Sequence, residues 1–146
     1  MKSEIKKNLF PLVLIVKKEL EKQNINYWVD LGSLLGIIRD KKLLEWDHDF
    51  DFSIFSEDRG KVIDVITSLR EKGLIIKIEK NFPWFEDIVQ IYDSSSNNDL
   101  HVDIGIYTKI GDLAFMRRAY AAYGKHSIIL LDMFRKINSI DVKREV

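Results

Sequence analysis

A chain of 146 residues has room for one hydrophobic core, so 1–146 reads as a single domain. Lysine plus arginine and aspartate plus glutamate stand at 23 each, a balance that argues against a general nucleic-acid coat or a strongly basic membrane-surface protein. With no cysteine, disulfides, thiolate zinc sites and a cysteine nucleophile are excluded together, which leaves oxygen-based metal chemistry and is compatible with a reducing cytoplasm.

The chain opens with Lys2, Lys6 and Lys7 ahead of an apolar run over 9–16. That is the start of a signal-peptide pattern, but Lys17, Lys18 and Glu19 follow at once without a small-residue cleavage site. The run is also far short of the ~20 apolar residues that span a bilayer. Ile5, Leu9, Leu12, Val16 and Leu20 recur at helical spacing and predict a helix over 4–23, buried on a sheet and not inserted in lipid. Pro11 either kinks this helix or opens its main part. Residues 27–31, aromatic and β-branched, predict a short strand, with Gly32-Ser33 as the turn out of it and a short helix over 33–39.

Phe50, Phe52 and Ile54 alternate with Asp49, Asp51 and Ser53, which is the period of a strand with its apolar side on the core. Ser56 is the expected N-cap of a helix whose stripe is Val62, Ile66 and Leu69 and whose stop is Gly73. Further strands are expected at 74–79, 85–92 and 100–107, the last two joined by a polar hairpin loop over 94–98. Residues 115–131 could hold a helix and a strand, and 137–142 another strand. Elements in this order predict an α/β (α+β) domain, a mixed sheet with packed helices.

Asp47, Asp49 and Asp51 are spaced by two, so a strand projects them from one face. The strand at 100–107 repeats the pattern, with His101, Asp103 and Gly105 opposite Val102, Ile104 and Ile106. If the two strands are neighbours, Asp103 joins Asp49 and Asp51. Two like charges about 4 Å apart repel by about 4 kcal/mol at an effective dielectric of roughly 20. A divalent ion reverses that repulsion, and Mg²⁺ (or Mn²⁺ in its place) takes carboxylate oxygens together with phosphates. Taken alone, the triplet is equally well explained as a charged edge strand that resists aggregation.

Gly32-Ser33 strengthens the first reading, because a strand-to-helix turn offers free N–H groups and the positive end of a helix dipole to a phosphate. An ordinary N-cap is the competing explanation of such a pair. Arg39 could reach the same anion as a fork-shaped donor, although a lone arginine is more often a surface residue. His101 shares the face of Asp103 and could contact the site, a structural or surface role being the commoner fate. His48 faces away from Asp47 and Asp49 by alternation and is not counted as a ligand. Trp28, Trp46, Trp84 and Tyr92 could contact a base or sugar, with core packing the commoner fate.

The stretch from Gly32 to Asp51 resembles the signature of the LicD/fukutin-like family of the nucleotidyltransferase-fold superfamily. Gly32, Ser33, Leu34, Leu35, Gly36, Arg39, Trp46, Asp47, Asp49 and Asp51 fall at the family's positions without a gap. Departures are His48 in place of aspartate, Glu45 in place of a frequent proline, and Lys42 in place of a common glycine. The resemblance extends over about residues 5–107 and implies a nucleotidyltransferase-like fold. By carry-over, Asp49 and Asp51 match the paired metal ligands, Asp103 the third carboxylate, and Gly32-Ser33 the phosphate-binding turn. It leaves open that the family's C-terminal extension is missing and the acceptor site incomplete.

The implied activity is phosphoryl transfer from a nucleotide-linked donor, such as a CDP-alcohol, to a glycan or teichoic-acid-like acceptor. Two alternatives stay open. One is nucleotidyl transfer from an NTP to a small molecule or protein; the other is an inactive module that binds a nucleotide or glycan.

Overall fold

The computed structural model describes residues 9–79, 88–94 and 100–115. The elements in chain order are α1 (Leu9–Lys22), β1 (Tyr27–Val29), α2 (Leu31–Asp40), β2 (Asp49–Phe55), a 3₁₀ turn (Ser56–Asp58), α3 (Arg59–Glu71), β3 (Ile75–Glu79), β4 (Ile88–Tyr92), β5 (His101–Ile110) and β6 (Leu113–Phe115). The expected elements at 115–131 and 137–142, the loop at 94–98 beyond Ser94, Trp84, and the first residues of the expected N-terminal helix lie outside the described residues.

The strands form one mixed sheet in the order β1-β2-β5-β4-β3, with β6 paired to β5. β2 and β5 run parallel at its centre, and the other pairs are antiparallel. Parallel neighbours need a crossover. Here α3, β3 and β4 supply it.

Alternation decides which face is apolar. Phe50, Phe52 and Ile54 of β2, and Val102, Ile104 and Ile106 of β5, are all buried with Leu9, Leu12, Val16 and Leu20 of α1 and Val62, Val65 and Leu69 of α3. The helical stripe of α1 is therefore core, as its spacing predicts, and Pro11 stands in its first described turn. Among the described residues no helix is long and apolar enough to cross a membrane.

Two boundaries differ from expectation. The first strand ends at Val29, and the helix expected from Ser33 begins at Leu31. Asp30 is its N-cap: the side chain accepts from the Leu31 N–H at 2.8 Å and so competes successfully with continued strand. Ser56 does not cap the next helix, because a 3₁₀ turn intervenes and α3 starts at Arg59. The end of α3 is as expected: Gly73 has φ +83°, Leu74 N–H bonds back to Leu69 C=O and Gly73 N–H to Arg70 C=O.

Helix α2 lies close against the loop that returns to β2. A Cβ on Gly36 would stand 2.6 Å from the Lys42 carbonyl oxygen, so only glycine allows this approach. The approach sets the path along which the chain delivers Asp47 and Asp49 to the start of β2.

Candidate metal and phosphate site

The face of β2 and β5 opposite the apolar core carries the polar side chains. In the parallel register Asp51 faces Asp103 and Asp49 faces His101. On the other side of β5, Gln90 and Tyr92 of β4 face Asp103 and His101. Parallel pairing thus brings together the carboxylates singled out in the sequence and adds a histidine.

Asp49 and Asp103 each offer one oxygen, and His101 one ring nitrogen, within 4.8 Å of one another. His101 Nε2 is 3.2 Å from Asp103 Oδ1 and 4.0 Å from Asp49 Oδ2. Asp103 is only 8% exposed, and its Oδ1 makes no hydrogen bond. The contact of His101 with this oxygen is an ion pair only when the imidazole is protonated. A buried oxygen of this kind is costly unless something outside the chain engages it. Two carboxylates, one of them with an unsatisfied oxygen, and a ring nitrogen fit a divalent cation.

Asp49 records the same crowding. Burial, then a hydrogen bond with the Asp47 carboxyl, then the charges of Asp51, Asp47 and Asp103 push its pKa from 3.8 to about 7. Asp47 precedes the strand but leans into the group, filling the space where a Gly32 side chain would stand. One role of that glycine is therefore room for a carboxylate.

Asp51 is held differently. Its N–H donates to Ser33 Oγ at 2.9 Å, and the Ser33 hydroxyl lies 3.4 Å from Asp51 Oδ2. Its carbonyl accepts from the Asp30 N–H at 3.1 Å. Both Ser33 and Asp51 are buried. The first turn of α2 thus grips the middle of β2 from both sides of one residue.

Asp30 anchors that turn. Besides Leu31, its carboxylate accepts from Ser53 Oγ at 2.9 Å and Tyr107 Oη at 2.7 Å, tying β1, β2, β5 and α2 together. Burial opposes its charge, but the bonds from Tyr107, Leu31 and Ser53 outweigh burial and hold its carboxyl below the usual range. This network was not singled out in the sequence. The available signal was an aspartate just ahead of a helix, the residue type that caps helices.

The remaining candidates lie at varied distance from the carboxylates. Arg39, at the far end of α2, is exposed and bonds Asp40 at 2.7 and 2.8 Å. His48 is exposed, and its carbonyl accepts from His101 N–H. Trp28 packs on Phe55 and Tyr107, whereas Trp46 is 69% exposed. Tyr92 stacks on His101 with ring centres 4.8 Å apart, and Lys77 covers the Tyr92 ring.

Residues 24–129 match the family described as LicD/FKTN/FKRP, nucleotidyltransferase domain. The mouse (Mus musculus) ribitol 5-phosphate transferase FKRP is 34% identical over 88 residues, 58% of this chain and 17% of that protein. The mouse ribitol-5-phosphate transferase FKTN is 26% identical over 123 residues, 84% of this chain and 26% of that protein. The match therefore spans about a sixth to a quarter of the length of these relatives. The solution structure of the antibiotic-resistance factor ANT(2'')-Ia superposes on 79% of this chain with a TM-score of 0.51 at 14% identity, covering 55% of that chain; what the two share is the fold.

Proposed function

Because the chain belongs to the LicD/FKTN/FKRP nucleotidyltransferase-domain family, we propose that it is a metal-dependent phosphotransferase. It moves a phospho-alcohol group from a nucleotide-linked donor, of the CDP-alcohol kind, to a glycan or related acceptor. The observation that carries this reading is the parallel register that sets Asp49 and Asp51 beside His101 and Asp103.

Asp49, Asp51 and Asp103 are the carboxylates that would hold the cation, Mg²⁺ or Mn²⁺. When bound, it neutralises donor phosphate charge and polarises the phosphorus under attack. The acceptor hydroxyl forms a new phosphorus–oxygen bond, the bond to the nucleotide breaks, and the nucleoside monophosphate leaves while the hydroxyl proton is released. Asp51 keeps its place through Ser33 and Asp30, which presents a carboxylate of fixed orientation and spares the cost of ordering it during reaction. Gly32 and Ser33 lie in the first turn of α2, whose dipole favours the donor's phosphates. Arg39 supplies a second positive group for the anion once its pairing with Asp40 opens.

The experiment is incubation of the protein with Mg²⁺ or Mn²⁺, a panel of CDP-alcohols and candidate glycan acceptors, reading nucleotide products. CMP released in step with acceptor phosphorylation supports the proposal. Pyrophosphate release from an NTP instead assigns nucleotidyl transfer. Metal binding with no turnover of any donor assigns a binding module.

A further inference from the structure

We infer that His101 is itself a ligand of the cation held by Asp49 and Asp103, so that the site prefers Mn²⁺ to Mg²⁺. The inference rests on the reading above that these carboxylates hold a divalent ion, and it adds the nitrogen donor and the choice of metal.

Three observations carry it. First, the spacing suits coordination. Ligand atoms about 2.1 Å from one ion stand about 3 Å apart when adjacent and about 4.2 Å apart when opposite. Nε2 of His101 lies 3.2 Å from Asp103 Oδ1 and 4.0 Å from Asp49 Oδ2, inside that span. Second, Asp103 Oδ1 is buried with no hydrogen bond although an imidazole stands beside it. A donor N–H aimed at this oxygen would satisfy it. The two atoms instead flank a common point, as two ligands of one ion do.

Third, the ring is held in place. Tyr92 stacks against it at an interplanar angle of 26°, and the His101 backbone N–H is bound to the His48 carbonyl. The β-strand pairings fix the backbone on both sides. A ligand held this way loses little freedom on binding.

Donor chemistry then decides the metal. Mg²⁺ is hard and takes oxygen almost exclusively, while Mn²⁺ accepts carboxylate and gains from an imidazole nitrogen along the first-row series. A site in which an imidazole joins the carboxylates discriminates where carboxylates alone do not.

Isothermal titration of the metal-free full chain with MnCl₂ and with MgCl₂ tests this, using the wild type, His101→Ala, His101→Gln and Asp103→Asn. Spin-echo spectroscopy of the Mn²⁺-loaded protein detects any coupled nitrogen directly. The expected result is tighter binding of Mn²⁺ and a ¹⁴N coupling in the wild type. Both His101 variants should lose the coupling and about tenfold or more in Mn²⁺ affinity, with Mg²⁺ affinity changed by less than about threefold. A Mn²⁺/Mg²⁺ preference unchanged in His101→Gln, or no ¹⁴N coupling in the wild type, overturns the inference while loss of binding in Asp103→Asn leaves the carboxylate site standing. Full metal binding in Asp103→Asn overturns both. Should His101→Ala fail to fold, the glutamine variant and the wild-type spectrum decide alone.

Discussion

Ser33 and Asp51 are joined twice: the Asp51 N–H donates to Ser33 Oγ at 2.9 Å, and the Ser33 hydroxyl lies 3.4 Å from Asp51 Oδ2. The serine of the Gly-Ser pair thereby positions a carboxylate from inside the fold, where it is 1% exposed. Ser33→Ala leaves a buried N–H without its partner and should cost about 1–3 kcal/mol in a urea melt, with slower turnover. If Ser33 serves only donor phosphate, the same variant weakens donor binding and leaves the melt unchanged.

Asp103→Asn is expected to nearly abolish turnover, because an amide is a poor ligand for a hard cation. The metal-free fold should be as stable as before or more stable by about 1 kcal/mol, since one of several crowded charges is gone. A divalent cation should raise the melting temperature of the parent protein and do so much less in the variant. Paired melts with EDTA and with metal check this.

The pH dependence follows from Asp49. Its folded-state pKa, about 7, stands above the 3.8 of the free carboxyl, so the native state binds this proton more tightly than the unfolded chain. That contribution is fully present below about pH 4 and is lost as pH rises through 7, by at most about 4 kcal/mol at roughly 1.4 kcal/mol per unit. Metal-free melts between pH 4 and 8 should show the decline from this group. Mn²⁺ should flatten it by replacing the proton, and Asp49→Asn should flatten it without metal.

Tyr107→Phe removes one of the bonds that reach the Asp30 carboxylate and should cost about 1 kcal/mol. Asp30→Ala removes the helix cap as well and should cost about 2–3 kcal/mol. Both should lower the rate of turnover more than metal affinity, because neither Asp30 nor Tyr107 offers an atom to the group of Asp49, His101 and Asp103. Calorimetric metal titration beside chemical denaturation separates the two effects.

The apolar and acidic faces of β2 were legible because alternation is local: Phe50, Phe52 and Ile54 lie on the core side whatever the strand pairs with. The convergence of Asp51 with Asp103 was legible only as a condition, since register depends on which strands become neighbours. The start of α2 was not legible. Leu31 takes φ +53°, a left-handed conformation unusual for leucine, and the Asp30 carboxylate bonded to its N–H is what accompanies it. Neither backbone sign nor a bond network spanning Asp30, Ser53 and Tyr107 leaves a periodic trace in sequence. His101 was placed on the correct face by alternation, and the expected pairing of the strands at 85–92 and 100–107 is found between β4 and β5, but the stacking on Tyr92 depends on the register of that pair, which spacing does not reveal.

The parallel pairing of β2 with β5 has a kinetic consequence. Asp49 and Asp103 are separated along the chain by α3, β3 and β4, and they meet only when the central strands close. Closure of so long a loop must precede any reward from the contacts it makes, so the partly folded chain holds no formed chelate. A cation should therefore slow unfolding, in proportion to its binding energy, and leave the refolding rate nearly unchanged. Stopped-flow refolding and unfolding with and without Mn²⁺ would read this directly: the unfolding limb of the chevron shifts down while the folding limb stays in place.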